Sequence, residues 1–471
     1  MARRDVAAAA LIALAGCSAA PDYRPPITAV PADYKEAAPV VPAGWAPARP
    51  QAAGGGAWWR LFDDPVLDAL EARVERASPT LAAALARYEQ ARAQVGVEAA
   101  DLAPQVSAAA SAERDRLSAR RPLAGSSATF NEFTVGAQLA YEVDLWGRIR
   151  NSVRAARADA QASAADLADV RLSLQAQLAD AYVRLRGLDA ERALLDRTVS
   201  AFARAHQLTV TRHDGGIASG LDVSRAQTLL SDARARIAEV VNRRAALEHQ
   251  IAALVGEVPS SFSLAARDGL APPPLVPPGL PSELLQRRPD VAQAERRIFA
   301  ANARIGVARA AFFPTLTLGG AAGFDATSGA LLSNPATFWA LGPAQAVLAL
   351  FDGGRRRAQV RISRAQFDEA AAEYRGTVLT AFREVEDAIA AARLLAQASV
   401  DQRAAASAAA RTEALALVRY RDGASDYLEV VTAQTAALDA ERSAILLQTS
   451  RLQAAVALVR ALGGGFGAVA G

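Results

Sequence analysis

Cys17 is the one cysteine among 471 residues, and its surroundings point to a particular chemistry. Arg3 and Arg4 start the chain with positive charge, Val6 to Ala15 form a short apolar run, and Leu14-Ala15-Gly16 leads directly into the cysteine. A basic start, an apolar core and small residues before a cut make the pattern of an export signal. With Cys at the cut, the segment looks like the bacterial lipobox. Residues 1–16 are therefore expected to leave as a lipoprotein signal peptide, with Cys17 becoming an acylated, palmitate-bearing first residue. The apolar run is too short for a permanent bilayer helix. Several acyl chains, at about 0.8 kcal/mol per buried CH₂, anchor a protein durably. Ser18 follows, where an Asp would suggest retention at the inner membrane, so the outer membrane is favoured.

Other residue types that do chemistry are scarce. His206, His213 and His249 are the only histidines; two fall on expected helices and one at a turn. None stands in an HExxH pattern or beside a cysteine, so neither a metal site nor a catalytic site is expected. Gly319-Gly320 to Gly323 and Gly463 to Gly465 lack the pattern of a phosphate-binding loop. No cofactor is implied, and the chain reads as a non-enzyme. Its 52 basic and 49 acidic residues give a net charge of +3 and are interspersed, so no phosphate-backbone footprint is present and no nucleic-acid partner is expected.

The elements that carry these residues come in two copies. After the anchor, 17–57 is rich in Pro and Ala and reads as an extended arm. Val95-Gly96-Val97 through Ala103-Pro104 then matches Ile305-Gly306-Val307 through Phe313-Pro314, and Trp146-Gly147-Arg148 matches Gly353-Gly354-Arg355. Asp214-Gly215 followed by Ala226-Gln227-Thr228 matches Asp422-Gly423 followed by Ala433-Gln434-Thr435. A repeat of this size is one supersecondary unit used twice. The domains expected are a first repeat over 58–256, a linker over 257–285, a second repeat over 286–462 and a tail over 463–471.

Each copy opens with a helix (80–103, then 289–313) that stops at a proline, after which extended backbone is favoured. Phe133, Val135, Ala137, Leu139, Tyr141 and Val143 alternate with Thr134, Gly136, Gln138, Ala140, Glu142 and Asp144, a strand with one oily and one wet face. Its partner is expected at 105–113. The counterparts are 315–323 and 338–351, where the alternation blurs. Long helices over 145–212 and 355–421 follow, each with a glycine-containing turn and a shorter helix, 222–255 and 426–462. Leu167, Val170, Leu174, Leu178, Ala181, Leu185 and Leu188 make a 3,4-spaced seam, as do Val223, Ala226, Leu230, Ala233, Ile237 and Val240. Leu428, Val431, Leu438, Ile445, Leu452, Val456 and Val459 make a third, so these helices should pack as coiled coils.

Four strands with a lipid-ready face cannot close on themselves, because membrane barrels need about eight. In a membrane the barrel must be shared between chains, and three would supply twelve strands. Alternation alone also fits a soluble hairpin packed on one face; the lipid anchor weighs toward the membrane.

Trp58-Trp59-Arg60-Leu61-Phe62-Asp63-Asp64-Pro65, Phe351-Asp352-Gly353-Gly354-Arg355, Tyr420-Arg421-Asp422-Gly423 and Ala461-Leu462-Gly463-Gly464-Gly465-Phe466, in this order of elements, resemble the TolC/OprM outer membrane efflux family in its NodT-type lipoprotein branch. The resemblance covers nearly the whole chain from Cys17 to Phe466. It implies a mainly α fold with a membrane β-barrel: a homotrimer with a shared 12-stranded barrel, a long antiparallel coiled-coil α-barrel, and an equatorial collar to which the termini and the equatorial linker 257–285 contribute. It also implies a passive trans-periplasmic efflux channel docked to a periplasmic adaptor (membrane fusion) protein and an inner-membrane RND-type transporter. In the family, an Asp and a Tyr tether neighbouring helices at the periplasmic gate, and acidic residues ring the pore. The matching positions are Asp222, Tyr420 and Glu429, while Thr432 and Ser425 replace an acid and an Arg of that network. Asp222 also reads as an ordinary helix N-cap, and both roles can coexist. The competing reading is a lipid-anchored periplasmic coiled-coil adaptor, which should show one hairpin flanked by small β-domains.

Overall fold

A computed structural model describes residues 18–26, 30–36, 57–118, 120, 128–276, 281–327 and 335–464. The signal segment and Cys17 lie outside the described residues, as do parts of the arm, the linker and the tail. In chain order the elements are α1 (Pro65–Ala77), α2 (Pro79–Ala100), β1 (Gln105–Leu117), β2 (Ala128–Val143), α3 (Arg148–Asp214), α4 (Gly220–Leu254), α5 (Pro281–Arg287), α6 (Pro289–Ala310), β3 (Thr315–Ala326), β4 (Phe338–Leu341), β5 (Ala344–Val347), α7 (Arg355–Arg421) and α8 (Tyr427–Ala461). The series helix, strands, long helix, shorter helix thus occurs twice.

Proline punctuates the helices. Asp64 accepts from the Val66 and Leu67 amides at 2.9 and 3.4 Å with Pro65 in the first helical position, where its missing N–H is not needed. α2 and α6 stop at Ala100 and Ala310, short of the expected 103 and 313. Pro104 and Pro314 disfavour helical backbone just before them, so the last turn tightens. Leu102 and Ala103 donate to Ala99 and Ala100 (3.1 and 3.0 Å), and Phe312 and Phe313 donate to Arg309 and Ala310 at the same distances.

The described residues gather into two compact units, each drawing on both copies of the repeat. One takes 18–26, Arg87–Ala164 and Gln293–Arg375. The other takes 30–36, 57–86, Ala165–Ala292 and 376–464.

The first unit holds one antiparallel sheet ordered β1-β2-β3, with β4 and β5 in succession along the far edge of β3. The first pair is longer than expected, reaching Leu117 and Ala128. The last strand is shorter: it breaks at Gly342-Pro343 and ends at Val347. Pro343 has no N–H for the ladder, and its carbonyl accepts instead from the Gly319 amide at 2.8 Å. Directly paired residues share a face, so Ala110, Val135, Phe324 and Phe338 form one apolar row across four strands. The adjacent row on the other face is Ala109, Gly136, Gly323 and Trp339. Glycine is required in it, since a Cβ on Gly323 would stand 2.5 Å from the Val135 carbonyl oxygen. Trp339, Leu341 and Val347 put apolar groups on the otherwise polar face, which accounts for the blurred alternation there.

In the second unit the expected seams are buried along α3 and α4: Leu178, Ala181 and Leu185, then Ala226, Leu230, Ala233 and Val240. α8 departs from expectation at its start. Leu428 is 46% exposed, while Tyr427, Val430, Ala433, Gln434 and Ala437 face inward. Both sets have 3,4 spacing, and packing against Tyr420 of α7, Ala226 of α4 and Leu208 of α3 selects the one that begins with the aromatic ring. Toward the other end of these helices, buried ion pairs fix the packing. Asp189 on α3 accepts from Arg186 at 2.9 Å and from Arg244 on α4 at 2.6 Å. These arginines also donate to the carbonyls of Ala265 and Leu264 (2.8 and 2.7 Å), which ties the linker down. Glu191 pairs with Arg243 on α4 at 3.2 Å and Arg442 on α8 at 2.7 Å.

Candidate functional site

Both helical hairpins of the second unit turn by the same backbone device. α3 and α7 are 67 residues each, and equivalent residues stand 207 apart (423 less 216). Gly216 and Gly423 take the left-handed turn position with φ of 75° and 78°, which glycine adopts without a Cβ penalty. Their amides donate to His213 and Tyr420 at 2.8 and 3.1 Å; one residue on, Ile217 and Ala424 donate to Arg212 and Arg419 at 2.8 Å each. The sequence pairing of Gly215 with Gly423 is thus one residue out. Each turn needs a positive φ, which falls on Gly216, one residue past the Asp214-Gly215 dipeptide, in the first turn and on Gly423, within Asp422-Gly423, in the second.

In this frame Asp222 and Glu429 are equivalent residues, as are the N-caps Ser219 and Asp426. Asp222 is not the N-cap itself but the third helical residue of a capping box. Ser219 Oγ accepts from the Asp222 amide at 3.2 Å, and the Asp222 carboxylate takes the Ser219 amide at 3.2 Å and its hydroxyl at 2.8 Å. Glu429 does not reach back in this way. Its amide donates to Asp426 at 3.1 Å, and its carboxylate sits 3.5 Å from Arg419.

Tyr420 is buried with Ala226, Tyr427 and Val430, and Leu208, Leu417 and Val431 pack against this cluster. Its ring lies 5.2 Å from that of Tyr427. Burial pushes the Tyr427 hydroxyl up to about 12, with the neighbouring Tyr420 and Asp222 adding to the rise and a hydrogen bond with Thr209 opposing it. Tyr420 and Asp222 make no hydrogen bond with each other. The Tyr420 hydroxyl and Ser425 Oγ are both buried without a partner among the described residues. Thr432 Oγ1 donates to the Leu428 carbonyl at 2.9 Å, so it takes no part in a side-chain network.

Arg212 and Arg419 were not singled out by sequence reasoning. Arg212 Nη1 donates to the Tyr420 carbonyl at 2.7 Å and the Arg421 carbonyl at 3.4 Å, and its guanidinium lies 4.6 Å from the Tyr420 ring centre. The available signal was a cation in the last turn of each long helix, where unpaired carbonyls and the helix dipole favour positive charge. His213 Nδ1 lies 2.9 Å from the Ala218 carbonyl oxygen within its own turn. Among the described residues no cluster of three or more His, Cys, Asp or Glu has the spacing for a metal ion.

In the first unit, the residues next to Cys17 are held firmly. Ser18 Oγ and the Asn151 side-chain amide lie 3.2 Å apart, and the Ala19 amide donates to the Trp146 carbonyl at 3.4 Å, just past the end of β2. Gly306 leaves room for this path, since a Cβ there would stand 2.6 Å from Ala20 Cβ. Further along, Asn302 donates to the Pro21 carbonyl at 2.9 Å and Tyr23 donates to Glu295 at 2.6 Å.

The sequence model of the family described as outer membrane efflux protein matches residues 71–257 and again 280–464. The chain is 33% identical over 460 residues to the probable efflux pump outer membrane protein TtgC of Pseudomonas putida, covering 96% of this chain and 93% of that one. It is 34% identical over 463 residues to the outer membrane protein OprJ of Pseudomonas aeruginosa, covering 97% and 94%. Among solved structures, the outer-membrane channel OprN superposes with a TM-score of 0.88 at 32% identity, covering 95% of this chain and 99% of that one.

Proposed function

This chain belongs to the outer membrane efflux protein family, and from that premise we propose that three copies assemble into one passive conduit. The observation that carries the proposal is the sheet of the first unit. Its apolar rows run in register across the strands, while β1 pairs only with β2 and β4 and β5 pair only with β3 among the described residues. An open edge cannot stand in hydrocarbon, because each unpaired backbone group there costs several kcal/mol. Four strand positions fall short of the roughly eight a membrane barrel needs, and a closed ring of three copies supplies twelve.

The protein is an outer-membrane efflux channel. In the proposed assembly it works with a periplasmic adaptor and an inner-membrane RND-type pump that supplies the energy. Cys17 carries the lipid anchor, and the contacts of Ser18 and Ala19 start the arm beside the end of β2. The hairpin tips form the gate, with Tyr420 and Asp222 tethering neighbouring helices and Glu429 lining the entrance. The paired hairpins and a sheet built from both copies support this reading over a lipid-anchored adaptor, which would carry one hairpin.

Two measurements test the proposal. Cross-linking of the purified mature protein should give a ladder ending at three chains; a monomer that stays in water once delipidated overturns it. In planar bilayers, Tyr420→Phe together with Asp222→Ala should raise single-channel conductance. An unchanged conductance rules out the tether.

A further inference from the structure

Tyr420 is held in place by contacts that do not involve its hydroxyl. Its ring packs at a tilt against that of Tyr427 and lies under the Arg212 guanidinium, and its carbonyl accepts from Arg212 Nη1 at 2.7 Å as well as from the Gly423 amide at 3.1 Å. Arg212 belongs to the first hairpin and Tyr420 to the second, 208 positions further along the chain. The repeat-equivalent Arg419 makes no such crossing: it reaches the Ala424 carbonyl of its own turn at 3.5 Å and pairs with Glu429.

We propose that Arg212 fastens the tip of the second hairpin to the first and thereby sets the closed position of Tyr420; this rests on the reading of the tips as a gate. Three physical terms favour it. The last carbonyls of α7 lack intrahelical donors, and a cation there complements the negative end of a long helix. A partly desolvated guanidinium over a tyrosine ring adds attraction. No carboxylate lies within ion-pair distance of Arg212 among the described residues, so its charge is met by carbonyls and the ring. Loss of Arg212 removes the polar contacts that the first hairpin makes to the Tyr420 and Arg421 carbonyls, and the Tyr420 hydroxyl, without a partner among the described residues, does not replace them. Arg212 acts through Tyr420, so it is a positioning residue.

The test is single-channel recording of purified channels in planar bilayers. R212M removes charge and donors while keeping the stem. R212K keeps the charge and an ammonium with three rotatable donors but loses the planar guanidinium that lies over the ring and its fixed fork of donors. Arg234→Met, at an exposed position on α4, controls for lost charge. R212M should raise the ratio of open to closed states roughly tenfold, which corresponds to about 1.4 kcal/mol. R212K should fall between R212M and the parent, and Arg234→Met should match the parent. If R212M and R212K both gate like the parent while Tyr420→Phe with Asp222→Ala opens the channel, Arg212 is not the fastener and the gate reading stands. If neither set opens it, the gate reading fails and this inference with it. Should R212M not insert, R212K carries the test: an open ratio raised at least twofold supports the role, and a parental ratio overturns it.

Discussion

The two hairpin tips share one backbone and differ in what closes it. At the first tip Ser219 and Asp222 satisfy each other in a capping box, Arg225 stands 3.7 Å from the same carboxylate, and His213 turns to its own loop. At the second, Asp426 caps alone, Glu429 looks to Arg419, and two hydroxyls, Tyr420 and Ser425, are buried unpartnered. An unmade hydrogen bond on a buried group costs about 1–3 kcal/mol. The helix start of the first tip is therefore capped within its own hairpin. The second is held by an aromatic cluster and by an arginine lent from the first, so it is the part whose position can be switched by breaking few contacts.

The largest effect expected concerns Tyr427, which is 2% exposed and begins α8 where the first tip has Gly220. Tyr427→Ala should cost about 3–5 kcal/mol by emptying the cluster. Hydrogen exchange should show it as faster amide exchange confined to the second tip. Gly220→Ala, whose added Cβ would meet nothing closer than His213 Cε1 at 3.8 Å, should change stability by less than ~1 kcal/mol. Equal losses at the two sites would break the comparison. Burial also gives a pH signature. The Tyr427 hydroxyl is pushed up to about 12 from an ordinary value near 10. Its neutral form is favoured in the fold, so stability should be unaffected below pH 10 and decline as pH rises from there through 12. Tyr427→Phe should remove that decline.

How much of this was legible beforehand depended on whether the deciding partner was close in sequence. The β1–β2 pair and the long helices followed from local periodicity and from Pro104 and Pro314. The choice between Leu428 and Tyr427 as the buried start of α8 did not, because both lie on 3,4-spaced stripes and only contacts with the other three long helices separate them. The last strand was blurred for a similar reason: Trp339 stands on the polar face beside Gly323, a pairing that a single strand does not reveal. At the tips, Asp222, Tyr420 and Glu429 came from family resemblance. The capping box was readable as Ser219 followed by an acid three residues on, and Asp222 belongs to it as the acid. A cation in the last turn of α3 marked Arg212 as a residue for helix-end carbonyls, but not that those carbonyls and the Tyr420 ring belong to the other hairpin, 208 positions away.

Capping offers a smaller and more local test. Ser219→Ala removes the acceptor for the Asp222 amide and frees that carboxylate from its hydroxyl partner, and it should cost about 1 kcal/mol. Asp426→Ala removes one acceptor with no reciprocal bond to lose, so its cost should not exceed that of Ser219→Ala. Thermal melts of the two variants side by side, scored against the parent, check the order. A larger loss at Asp426 would mean that the second tip, not the first, depends more on its cap.

The smallest stability change is expected at Glu429, and it separates holding from lining. Its 3.5 Å pair with Arg419 is formed by side chains 42% and 58% exposed. Pairs of this kind contribute roughly 0–1 kcal/mol and are screened within about 8 Å at physiological salt. Glu429→Gln should therefore leave the melting temperature nearly unchanged, most clearly at high salt. Its effect should appear in ion selectivity, since in the proposed trimer three such carboxylates around one axis would favour cations over anions and their removal would weaken that preference. The equivalent change at the first tip, Asp222→Asn, reverses the pattern: it disturbs a capping box and should shift the melt more than the selectivity. Selectivity is measured as the reversal potential across a salt gradient. A reversal potential that moves with Asp222→Asn and not with Glu429→Gln would exchange the roles of the two tips.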